Sequence, residues 1–68
     1  MSIVLHLDEV MARRHVRLSE LAKAVDITNA NMSNLKTGKV KAIRFSTLDK
    51  ICEYLDCQPG DIIQYEKD

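Results

Sequence analysis

The sequence predicts an all-α fold, a compact bundle of four to five helices with short β-strands at its termini. Three observations carry this. The chain has 68 residues, one domain's worth, of which 46% are hydrophobic, a composition that buries a core rather than staying disordered. Only two Gly and one Pro are present, too few turn formers for a sandwich of hairpins. Apolar residues recur three and four apart through most of the chain, the period of a helix with one buried stripe.

Taken in order, Ile3, Val4 and Leu5 form a short β-branched run that reads as a strand or extended arm. Leu7, Val10 and Met11 begin a first helix that reaches about residue 15, with Asp8 and Glu9 well placed at its positive end. Leu18, Leu21, Ala22 and Val25 make one stripe of a second, two-turn helix. Its start lies at Leu18, with Arg17 in the cap position, or two residues later with Ser19 as the cap. Asp26 tolerates a left-handed turn and Thr28 suits the cap of a third helix, predicted over 29–37 and stopped by Gly38. A linking loop to Phe45 follows, tacked down by some of Val40, Ala42, Ile43 and Phe45. Ser46 with Asp49 resembles a capping box opening a fourth helix with the stripe Leu48, Ile51, Cys52 and Leu55. Pro59 starts a new turn, and Ile63, Gln64 and Tyr65 alternate like a strand that could pair with residues 3–5 of the same chain or of a partner chain.

Zero net charge conceals a strong division along the chain. Residues 11–44 hold eight basic and two acidic side chains, whereas residues 1–10 carry a net minus two and residues 45–68 a net minus four. Such a two-sided distribution suits an anionic partner addressed by one face. A chain this small disfavours an enzyme with a deep, walled cleft. His6, His15, Cys52 and Asp8 form no catalytic motif or metal spacing, so neither catalysis, metal nor cofactor is expected. Cys52 and Cys57 lie five residues apart, about 140° of helical rotation, and so share no face of one helix. They read as reduced, packed thiols rather than a disulfide, as in a cytoplasmic protein. The apolar amino-terminal run is too short for a signal peptide or a membrane span, and no membrane association is expected.

The third helix carries the functional signal. On a helical wheel Met32, Leu35 and Thr28 point inward, while Ala30, Ser33, Asn34 and Thr37 point outward, flanked by Asn29 and Asn31. An exposed helix face ordinarily favours Glu, Lys, Gln or Arg, so this choice of amides and hydroxyls costs several tenths of a kcal/mol per residue in helix propensity. Short donor–acceptor side chains beside a small Ala suit close approach to base edges in a major groove, where Asn can bond adenine N6 and N7 together. Lys39, Lys41 and Arg44 follow the helix and can reach flanking phosphates, which supply affinity and register. Thr28 and Ser19, at helix starts, add weaker phosphate contacts.

Within residues 18–39, Glu20-Leu21-Ala22, Val25, Ile27, Met32, Leu35 and Gly38-Lys39 resemble the phage-repressor-like helix-turn-helix family of Cro and lambda-repressor type (XRE). The likeness continues through Arg44-Phe45-Ser46-Thr47-Leu48 and Cys57-Gln58-Pro59-Gly60-Asp61-Ile62, covering nearly the whole chain as in short, stand-alone members. The resemblance implies a lambda-repressor-like bundle over residues 1–68 and a regulator of transcription, in the repressor sense. It puts Asn29, Ala30, Ser33 and Asn34 at base-reading positions. Thr28, Lys39, Lys41 and Arg44 fall at phosphate positions, to which Arg17, Ser19 and Thr37 are added. Arg17 stands where the family often has a Thr cap, and Asp26 replaces the usual turn Gly. Such proteins commonly bind palindromic double-stranded operators as homodimers. A rival reading is a protein-interaction module, such as an antitoxin or small adaptor, that uses the acidic carboxyl-terminal half and the strand around Tyr65.

Overall fold

The computed structural model describes residues 2–40 and 42–67. Strand β1 (Ser2–Leu5) leads into helices α1 (Leu7–Arg14), α2 (Leu18–Ala24), α3 (Asn29–Thr37), α4 (Phe45–Leu55) and α5 (Pro59–Ile62), and the chain closes on strand β2 (Ile63–Glu66). The two strands pair antiparallel within the chain, with Ile3 opposite Tyr65 and Leu5 opposite Ile63. Because the sheet joins the first and last elements, the helices are enclosed between its two ends in sequence.

The predicted stripes converge on one apolar cluster. Leu7, Val10 and Met11 from α1 meet Leu21 and Ala22 of α2, Met32 and Leu35 of α3, and Leu48, Ile51 and Leu55 of α4, with Val25 and Ile62 completing it. Each large aliphatic side chain taken wholly from water stabilises the fold by about 1.5–3 kcal/mol before entropy is counted. The α3 helix contributes just Met32 and Leu35 to this core. Two anchors hold it and leave the rest of its surface outside.

Helix ends repeat one device. His15, Asp26, Gly38 and Asp56 take left-handed φ angles of 57°, 59°, 74° and 52°. After each, the next amide reaches back to a carbonyl five residues earlier: Val16 to Met11 at 3.0 Å, Ile27 to Ala22 at 3.0 Å, Lys39 to Asn34 at 2.9 Å and Cys57 to Cys52 at 3.1 Å. This six-residue turn satisfies carbonyls that the helix cannot and reverses the chain sharply. The expected left-handed Asp26 and the stop at Gly38 are observed.

Of the two starts open for α2, the one at Leu18 is found, with Arg17 in the cap position and no side-chain cap bond. Other expectations are corrected. Ser46 does not open α4, which starts one residue earlier at Phe45 with Arg44 before it. The reciprocal carboxylate contact predicted there forms instead at α5, where Asp61 accepts from the Gln58 amide at 2.9 Å. Thr28 does not point inward: it is exposed because its backbone is extended, at φ −71° and ψ 156°, and a helical angle cannot be assigned to it. Of the loop residues, Val40 and Ile43 pack on the core, while Phe45 is 87% exposed. Cys52 and Cys57 are free thiols, but they do meet, since the turn at Asp56 ends the helix before Cys57 and folds it back.

Candidate nucleic-acid interface

Helix α3 begins with a well-made cap. The Thr28 Oγ1 accepts from the Asn31 amide at 3.1 Å, satisfying one of the free N–H groups of the first turn. Because that bond uses an oxygen lone pair, the Thr28 hydroxyl proton is still available to an outside acceptor. The turn before α3 is set by Asp26 and by Ile27, whose side chain packs on the core. These contacts fix the direction in which α3 leaves α2.

On α3, Asn29, Ala30, Asn31, Ser33, Asn34, Lys36 and Thr37 are all exposed. The four predicted base-reading residues, Asn29, Ala30, Ser33 and Asn34, thus share a helix whose opposite side is pinned by Met32 and Leu35. Thr37 is also exposed, but its hydroxyl donates to the Ser33 carbonyl at 2.9 Å. It offers an outside partner an acceptor more readily than a donor, which makes it a poor fit for phosphate.

Among the cations, Lys39 is exposed and its amide is tied to the Asn34 carbonyl, so the loop leaves directly from the end of α3. Lys41 lies outside the described residues. Arg44 is exposed and lines a groove beside α3 together with Asn31, Leu35, Val40, Ile43 and Thr47. Its place before α4, with no side-chain cap, leaves a guanidinium next to uncapped first-turn amides, an arrangement favourable to an anion. Arg17 and Ser19 are exposed at the start of α2. Arg14 is held elsewhere, donating to the Asp56 carbonyl at 2.8 Å.

Two residues of this surface escaped the sequence reading. Asn31 was placed on a flank of the outward arc, yet it faces the groove that Arg44 lines. Phe45, one of the four apolar loop residues of which some were expected to anchor it, stands in solvent. No periodic signal could have shown this, because Phe45 sits at the junction of loop and helix, where neither period applies. Behind the surface, the Tyr54 hydroxyl donates to the Glu20 carboxylate and links α4 to α2. That hydrogen bond, with smaller contributions from burial and the carboxylate charge, raises the Tyr54 pKa above its ordinary value of 10.0.

Comparison with known proteins agrees with this geometry. Residues 6–68 match the Cro/C1-type HTH DNA-binding domain. The chain is 52% identical over 68 residues to the HTH-type transcriptional regulator YozG of Bacillus subtilis strain 168, covering all of this chain and 81% of that protein. The crystal structure of the transcriptional regulator VanUg superposes with a TM-score of 0.77 at 29% identity, covering 98% of this chain and 88% of the other. A Bacteroides fragilis protein assigned as DNA-binding shares the fold, with a TM-score of 0.82 at 19% identity, over 91% of this chain and 98% of its own.

Proposed function

The chain belongs to the Cro/C1-type helix-turn-helix DNA-binding family, and from that premise we propose that it is a repressor that reads a specific operator through α3. As a member of that family it is a DNA-binding regulator of transcription. The finer reading rests above all on one observation: amides and hydroxyls cover the exposed side of α3, while two core anchors hold the other side. Asn29, Ala30, Ser33 and Asn34 contact base edges. Arg17, Ser19, Thr28, Lys39, Lys41 and Arg44 grip phosphate, and Thr37 has a lesser role because its proton is committed to Ser33.

Residues 1–68 act as a single binding domain. One copy presents one nine-residue reading helix, enough for a half-site. A homodimer on a palindromic operator, with half-sites about 34 Å apart, follows from the usual docking of such helices. The cytoplasm is the proposed location, in keeping with a DNA partner, and among the described residues no helix is long and apolar enough to cross a membrane.

Selection of sites from a random duplex pool, followed by binding assays on the winner, tests this reading. The selected sites should be symmetric. Asn34→Ala should weaken binding to the selected site roughly 5- to 150-fold, the equivalent of about 1–3 kcal/mol for one bidentate base contact, and leave random-duplex binding nearly unchanged. Equal losses on both DNAs would remove Asn34 from base reading.

A further inference from the structure

The turn that ends α4 holds two reactive groups that DNA recognition leaves unused. Asp56, at φ 52°, folds the chain so that the Cys57 amide donates to the Cys52 carbonyl at 3.1 Å. Helices α1 and α2 close with the same six-residue turn. There the residues at the corresponding positions are Met11 with Val16 and Ala22 with Ile27, the apolar contact this turn favours. At α4 the same two positions carry thiols.

Both cysteines are half-buried, both pack against the core cluster, and both are reduced. The backbone bond between them brings the two residues together across the turn, and burial first, then the neighbouring Cys52, pushes the Cys57 thiol up to about 11. Arg14 anchors this turn to α1 through the Asp56 carbonyl at 2.8 Å. The thiol pair is therefore built into the junction of α4, α5 and α1, apart from the outward face of α3.

We propose that Cys52 and Cys57 form a redox-modification site that closes reversibly into an intrachain disulfide across the α4 exit turn. The oxidant is a hydroperoxide. The Cys52 thiolate attacks the peroxide oxygen, the O–O bond breaks, and a sulfenic acid forms with release of hydroxide. Cys57 gives up its proton and attacks the sulfenic sulfur as its thiolate; the S–S bond forms, the S–O bond breaks, and the departing hydroxide takes up the proton as water. In sum, two thiols and one hydrogen peroxide give one disulfide and two waters, and a dithiol reductant reverses the change.

The test uses the full chain treated with hydrogen peroxide and analysed by intact mass and thiol titration without reductant. The expected product is a monomer lighter by two hydrogen atoms with no free thiol, restored by dithiothreitol. Chymotryptic cleavage after Tyr54, which lies between the cysteines, should leave the two fragments joined in the oxidised protein and separate after reduction. Cys52→Ser and Cys57→Ser should each abolish the linked product. Disulfide-linked dimers, or sulfinic acids on unlinked cysteines in the wild-type protein, would overturn the proposal; the fragment analysis needs no variant to fold.

Discussion

Asp26 occupies a left-handed conformation at φ 59°, where an L side chain crowds its own backbone. Asp visits this region more readily than most residues, at a cost on the order of 1 kcal/mol relative to Gly. Asp26→Gly should therefore leave stability equal or raise it, with a melting temperature higher by as much as roughly 4–8 °C in a domain this small. A midpoint clearly below the wild type would mean that the carboxylate contributes more than the strain takes away. The turns at Asp26 and Gly38 were legible because both residue types favour this conformation. His15 and Asp56 do the same work, but neither stands out in the sequence, since His is an uncommon choice and Asp56 follows a continuous apolar stripe. Thr28 and Cys57 escape a helical angle for one reason: the backbone is outside the helix at both, before α3 at Thr28 and after α4 at Cys57.

Elements are joined by contacts that cross long stretches of sequence. His6, at the step from β1 to α1, has its Nδ1 at 2.6 Å from a Glu9 carboxylate oxygen and its Nε2 at 2.8 Å from one of Glu66. Its amide also donates to the Ile62 carbonyl at 2.6 Å. Glu66 is the main cause that raises the His6 pKa above 6.5; Glu9 adds to it and burial opposes it. A raised folded-state value means that the protonated ring stabilises the fold. That contribution is complete below the unfolded value near 6.5 and is lost as pH rises through the higher folded value. Thermal unfolding of wild type and His6→Gln across about pH 5 to 8 should show the largest difference at the acid end of this range, shrinking toward the alkaline end. A difference independent of pH would assign the effect to packing. The strand segments themselves were readable from their β-branched and alternating residues. Their pairing within one chain was not, because it depends on where five helices deliver the two termini.

For the whole molecule, the basic segment keeps its charge at the surface. Arg13, Arg14, Arg17, Lys23, Lys36, Lys39 and Arg44 are all exposed, and Arg14 alone of these donates to a backbone carbonyl, that of Asp56. Three to four phosphate contacts per copy become six to eight in a dimer, which predicts a log–log slope of affinity against salt of about −5 to −7. Lys39→Ala or Arg44→Ala should each make that slope shallower by about one per altered contact and weaken binding to specific and random DNA alike. Binding that does not respond to salt would remove the electrostatic half of the interface. The zero net charge is compatible with this, because association is governed by the local field near the docking face.

The chain's own residues determined the helices, the exposed amide face of α3 and the family, since each depends on local spacing: Met32 and Leu35 three apart, Thr28 before the helix, Gly38 after it. Only the tertiary structure decided that Arg14 reaches the Asp56 carbonyl, that Phe45 stands in solvent, that the terminal strands pair with each other, and that Cys52 meets Cys57. Those outcomes depend on how far the chain turns at four left-handed residues, and a turn angle is set by packing on both sides of it.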